Sequence, residues 1–166
     1  MGQDKATLRW GGTSLLDHMV QLLSTVASPV RVVGRSDFPD GIPGKGPLGG
    51  ILTALETTDQ EANLLIAVDL PLLTPDFLRM FQARCLASTK ALVACRISGD
   101  FPLCLGIQKR LAKRVAERVQ ADRLAVHPFI EESDAETLEE DELRALGFGP
   151  SMFSNVNTPD DLRRIR

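Results

Sequence analysis

The run Leu64-Leu65-Ile66-Ala67-Val68, followed at once by Asp69-Leu70-Pro71, constrains this chain more than any other segment. A strand that alternates apolar and polar residues can leave one face in water. A strand apolar at every position has to be covered on both faces. Such a strand demands a layer of helices above it and another below, and the rest of the chain supplies them. Ser14 can cap a helix that carries Leu15, Leu16, Met19, Val20, Leu22, Leu23 and Val26 at helical spacing. A second helix starts at 48–55, and Thr74-Pro75-Asp76 opens a third with Pro at its first helical position. Residues 108–119 place Leu111, Val115 and Val119 on one face, and 123–130 form a shorter helix.

Further strands are expected at 30–33, 91–95 and 103–107, the last two paired across Ser98-Gly99-Asp100. The Gly/Pro/Asp-rich stretch 34–47 reads as a loop. Eight of the twelve residues 131–142 are Asp or Glu, which predicts a solvated loop or surface turn rather than a metal cluster. Pro159-Asp160-Asp161-Leu162 opens a last helix. The expectation is one α/β domain over 1–166, a three-layer αβα sandwich with a mostly parallel, Rossmann-like sheet.

Composition narrows the function classes. With 166 residues, 43% of them apolar, the chain can bury a sizeable core. A net charge of −3 offers no general attraction to nucleic acid or to membrane surfaces. No run approaches the ~18 apolar residues of a membrane span, and no signal-peptide pattern opens the chain. Cys85, Cys95 and Cys104 stand isolated in apolar stretches and read as packing thiols. The expected compartment is the cytoplasm.

In open parallel sheets ligands bind at the carboxyl ends of strands, and Asp69 stands at such an end. A carboxylate there can hold Mg²⁺ or can cap the following turn or helix. Asn157, in Asn155-Val156-Asn157-Thr158-Pro159, fits a helix cap by itself. The string Gly46-Pro47-Leu48-Gly49-Gly50 fits either a tight turn into a helix or a close approach of ligand to bare backbone. Lys5, taken alone, is a solvated lysine.

Taken together and in this order, Met1-Gly2-Gln3-Asp4-Lys5, Gly46-Pro47-Leu48-Gly49-Gly50, Val68-Asp69-Leu70-Pro71 and Asn155-Val156-Asn157-Thr158-Pro159 resemble the molybdenum cofactor guanylyltransferases. The resemblance implies a fold of the nucleotide-diphospho-sugar transferase type and transfer of GMP from MgGTP to molybdopterin with release of pyrophosphate. It implies Mg²⁺ on Asp69 and Asn157, phosphate contact by Lys5, and nucleotide contact by Asp40, Gly46, Pro47, Leu48, Gly49, Gly50 and Asp69. Asn157 stands where related cytidylyltransferases tend to carry Asp, which leans toward guanine. Gly34-Arg35-Ser36-Asp37 departs from the family, whose members tend to carry an Asn soon after the second strand.

Two weaker features accompany these. Phe101-Pro102-Leu103-Cys104 resembles a segment on the acceptor side, and Lys109, Arg110, Lys113, Arg114 and Arg118 form a basic face that is solvated or steers an anionic acceptor. The family opening reads roughly L-A-G-G-x-S-x-R-M-G-x-D-K, and this sequence starts at its Met. The expectation is that codons upstream of Met1 encode a short apolar strand and a glycine-rich loop ending in Arg. The other readings are a cytidylyltransferase or sugar-nucleotide enzyme on the same fold, and a non-catalytic binding relative.

Overall fold

The computed structural model describes residues 5–35, 38–39, 41–158, 160–161 and 163, with Lys5 described for its backbone alone. Asp40, Pro159 and Leu162, as well as Gly2 and Asp4, lie outside the described residues.

The apolar run becomes β3 (Ala62–Ile66), and the sheet continues with β4 (Leu92–Arg96), β5 (Cys104–Gln108) and β6 (Glu136–Glu139) in the order β3-β5-β4-β6. β5 is antiparallel to both β3 and β4, while β6 is parallel to β4, so β3, β4 and β6 share one direction and β5 alone opposes them. The expected α/β fold is therefore present, with a mixed sheet. The β4–β5 hairpin turns where the sequence predicts it, through Ser98 and Gly99, both at positive φ.

Strand alternation sorts the core into two layers. On one face Val93, Cys95 and Cys104 pack with Met19 and Leu22 of α1 (Leu15–Leu23) and with Phe77, Leu78 and Phe81 of α3 (Pro75–Ala87). On the other face Leu92, Ala94, Leu105 and Ile107 meet Leu48, Ile51, Leu52 and Leu55 of α2 (Gly46–Thr57). Val115 and Val119 of α4 (Ala112–Gln120) and Phe129 and Ile130 of α5 (Val126–Glu131) complete that layer. Helix starts follow the predicted caps: the Ser14 hydroxyl accepts from Asp17 N, and the Thr74 hydroxyl accepts from Phe77 N. All three cysteines are free; burial pushes the Cys85 and Cys95 thiols up to about 12 and holds Cys104 well above the ordinary thiol value, so they remain neutral packing groups.

Gly106 lets α3 settle on β5. A Cβ at that position would stand 2.1 Å from Cys85 Sγ and 2.9 Å from Cys85 Cβ. Gly106→Ala is expected to destabilise by at least ~1–3 kcal/mol, and Cys85→Ala in the same chain should return most of the loss. Denaturant titration of the two single variants and the double variant measures this; additive losses would contradict it.

Two expectations are corrected. The acidic stretch is not a loop: it forms β6 and α6 (Glu140–Ala145). Leu138 and Leu143 are fully buried and anchor it, while the acids turn outward into ion pairs. Arg84 binds Glu136, Lys90 meets Asp134 at 2.6 Å, and Arg96 meets Glu139 at 3.3 Å. The Ser88 hydroxyl, then Arg84, hold the Glu136 carboxyl below the usual range. A charged outer strand also discourages further pairing at that sheet edge.

The second correction concerns 30–33, which forms no strand. Among the described residues β3 pairs only with β5, and a groove of about 320 Å³ separates its other edge from residues 29–33. Leu16, Met19, Val20 and Leu23 line one side of this groove, and Pro47, Gly50, Ile51 and Ala54 line the other. With no neighbouring strand in hydrogen-bonding reach, 30–33 has no ladder to join.

Candidate active site at the carboxyl end of β3

α2 ends beside the start of β3, where the Thr58 hydroxyl donates to Asn63 Oδ1 at 2.8 Å. With so short a connection the helix runs antiparallel to β3, and its amino end lies at the strand's carboxyl end. Pro47 and Gly50 accordingly share the groove with Ala67 and Val68. Gly46 adopts φ +59° and starts the helix in a conformation that side chains disfavour.

The two later glycines differ in purpose. A Cβ on Gly49 would stand 2.7 Å from Lys45 Cβ, so Gly49 makes room for the Lys45 side chain, which reaches Asp122 at 2.8 Å. A Cβ on Gly50 would meet nothing within 4 Å. Gly50 thus faces open space where it lines the groove, and Gly46 is likewise open. Gly41 N donates to Thr53 Oγ1 at 3.0 Å, which ties the preceding loop to α2.

Asp69 follows β3, half-buried, and its carbonyl accepts from Val156 N at 2.8 Å. This one bond joins the segment carrying Asp69 to the segment carrying Asn155 and Asn157, which lie 86 and 88 residues further along the chain. Val156 is fully buried with Leu8 and Leu15, and Val68 and Trp10 pack against them. The Lys5–Thr7 turn leads directly into that cluster. Two of the four predicted site segments thus meet at the end of β3, and the described Lys5 backbone of a third leads toward the same cluster. The fourth, at the start of α2, faces them across the groove.

Asn157 N and Thr158 N both donate to Asp161 Oδ2, and Asp161 N donates to the Thr158 hydroxyl. Thr158 is a cap of this turn. Asn155 and Asn157 are exposed. Among the described residues no group of three His, Cys, Asp or Glu side chains could hold a metal by itself.

The basic face is partly structural. Arg118 is 3% exposed and bonds Glu132 at 2.6 Å, Lys109 donates to the Thr58 carbonyl, and Arg114 donates to the Glu132 carbonyl. Arg110 and Lys113 are the exposed members. Phe101 lies edge-on to His127 at 4.8 Å and beneath the Arg96 guanidinium at 4.9 Å.

Residues 1–137 match the model of the MobA-like NTP transferase domain. The chain belongs to this family. It is thereby a nucleotidyltransferase. A probable molybdenum cofactor guanylyltransferase of Thermococcus kodakarensis is 31% identical over 179 residues, covering 99% of this chain and 87% of that protein. One of Peptoclostridium acidaminophilum is 32% identical over 131 residues, 75% of this chain; the match spans only 59% of that relative's length.

Among solved structures, molybdopterin-guanine dinucleotide biosynthesis protein A of Archaeoglobus fulgidus superposes with a TM-score of 0.76 at 19% identity, covering 99% of this chain and 89% of that one. A Mycobacterium tuberculosis protein solved in complex with manganese superposes at 0.63 and 15% identity, covering 99% and 91%. These two likenesses concern the fold. No helix among the described residues is long and apolar enough to cross a membrane.

Proposed function

We propose that this nucleotidyltransferase moves GMP from GTP to the terminal phosphate of molybdopterin and releases pyrophosphate. The observation that carries the reading is the Val156 N to Asp69 carbonyl bond of 2.8 Å, which sets the Asp69 and Asn157 segments side by side at a strand end. The guanylyltransferase activity for which the relatives above are named supports the same reading.

Asp69 and Asn157 offer a carboxylate and an amide carbonyl, both hard oxygen donors. No all-protein cage accompanies them among the described residues. Few protein oxygens, with water and phosphate filling the remaining positions, is the donor set that suits Mg²⁺. Asp69 and Asn157 would hold Mg²⁺ there, and the metal would supply charge neutralisation at the transferring phosphate.

The chain's own residues then position the reactants. Lys5 places a compact positive charge on the phosphates. The amino end of α2 favours a polar or anionic group, and Gly50 lets the nucleoside approach bare backbone. Asp40 contacts the nucleoside. An oxygen of the acceptor phosphate attacks the α-phosphorus in line, the bond to the β-phosphate oxygen breaks, and pyrophosphate leaves. The acceptor oxygen is already anionic, so orientation and charge neutralisation suffice and no protein base is required.

Pyrophosphate release with molybdopterin as acceptor tests the assignment. GTP is expected to exceed CTP by ~10-fold or more in kcat/KM, a discrimination that polar contacts to a base edge supply. Equal use of both, or preference for CTP, moves the chain to the cytidylyltransferase reading. Binding of neither nucleotide favours a non-catalytic role.

A further inference from the structure

The loop that presents Asp69 is held by three successive carbonyls. The Asp69 carbonyl accepts from Val156 N at 2.8 Å, and the Leu70 carbonyl accepts from Leu73 N at 3.3 Å. The Pro71 carbonyl is met by His18 Nε2 at 3.0 Å, across 53 residues of sequence. Two of these donors are main chain; the third is a side chain. A carbonyl only accepts, so His18 carries its proton on Nε2.

The imidazole is itself supported. His18 is half-buried on α1, between Leu15 and Met19, which are both in the core. The Trp10 ring stands 5.6 Å from it at a tilt of 43°. Trp10 belongs to the short hairpin of β1 (Arg9–Trp10) and β2 (Thr13–Ser14), which follows the Lys5–Thr7 turn. A continuous chain of contacts thus runs from the Lys5 segment through Trp10 and His18 to the Asp69 loop.

We propose that His18 is a positioning residue of the nucleotidyl-transfer site: its Nε2–H pins the Pro71 carbonyl and thereby fixes the direction in which Asp69 presents its carboxylate. The proposal rests on the reading of Asp69 as the metal-facing carboxylate. A carboxylate on an unpinned turn samples many directions, and few of them suit the strict octahedral demand of Mg²⁺. Groups that orient a metal ligand without touching the metal are worth 10- to 100-fold in metal affinity or activity.

Three variants separate the possibilities. His18→Phe keeps a ring against Trp10 and removes the donor, His18→Gln restores a donor of similar reach, and Asp69→Ala removes the carboxylate. Mn²⁺ binding in the presence of GTP is read by electron paramagnetic resonance, alongside kcat, KM for GTP and the melting temperature. The expectation for His18→Phe is an apparent Mn²⁺ Kd raised about 10- to 100-fold and a fall in kcat larger than any rise in KM, with His18→Gln recovering most of both. His18→Phe within twofold of the parent on both readouts, while Asp69→Ala loses both, overturns the proposal. So does equal loss in the Phe and Gln variants with matching falls in melting temperature, since that marks a packing role alone. If Asp69→Ala binds Mn²⁺ like the parent, the metal reading beneath the proposal fails instead.

Discussion

Asp69→Ala is expected to lower guanylyl transfer by about 10²-fold or more, the scale on which removing a single charge-stabilising group acts at such sites. The fold should survive the change. The contact from Asp69 to Val156 is made by the main-chain carbonyl, which alanine retains. The residue is half-buried in a turn, not part of the core. The melting temperature should therefore stay within about 3 °C of the parent, less than ~1 kcal/mol for a chain of this size. Steady-state pyrophosphate release and a thermal melt measured on the same preparation check both halves. Transfer within a few-fold of the parent would remove Asp69 from the site.

The second large effect concerns the groove along β3. Its walls come from α1 and α2, from β3 itself, and from residues 29–33. That is the shape of a strand's seat: helices above and below, a β3 edge that pairs with no other strand among the described residues on one side, and residues 29–33 on the other. A segment of about five Val, Ile or Leu residues, joined ahead of Met1 through a short glycine-containing linker, should enter it. The segment would run parallel to β3, because Leu8 packs beside Val68 at the strand's carboxyl end and fixes where the linker arrives. Pairing would satisfy edge groups that otherwise cost ~1–3 kcal/mol each when buried without partners. The melting temperature should rise by roughly 5–10 °C, equivalent to ~2–3 kcal/mol. The same fusion with Lys at alternate positions should give no rise, since both faces of the seat are apolar. Equal melts for the two fusions would contradict the reading.

Much of the architecture was legible where one local rule spoke without competition. The apolar run into β3, the Ser14 and Thr74 caps and the β4–β5 turn at Ser98-Gly99 all follow from short-range physics. Composition misled at 131–142, because eight acids outweighed the two buried leucines, Leu138 and Leu143, that decide the structure there. At 30–33 the apolar pattern favoured a strand, but a strand also needs a neighbour, and propensity does not report on neighbours. The small hairpin before α1 was not among the expected elements, although Gly11 and Gly12, both at positive φ, form its two-residue turn.

The candidate site divides in the same way. Asp69 and Asn157 were visible as motif positions, and the structure adds the bond that brings their segments together. Gly49 stands in the string expected to contact the nucleotide, and the structure adds that its lack of a side chain also accommodates Lys45. The Lys45–Asp122 and His18–Pro71 contacts span 77 and 53 residues, and neither follows from local sequence. A lone histidine on an amphipathic helix carries no signal until the chain is folded around it.

Crystals grown with GTP and Mn²⁺, and mapped by anomalous scattering at the manganese edge, test the central claim most directly. The account predicts one strong peak at the carboxyl end of β3, in direct contact with the Asp69 carboxylate and a phosphate oxygen, with Asn157 on the opposite side. A nucleotide bound with its metal elsewhere, out of reach of Asp69 and Asn157, would contradict it.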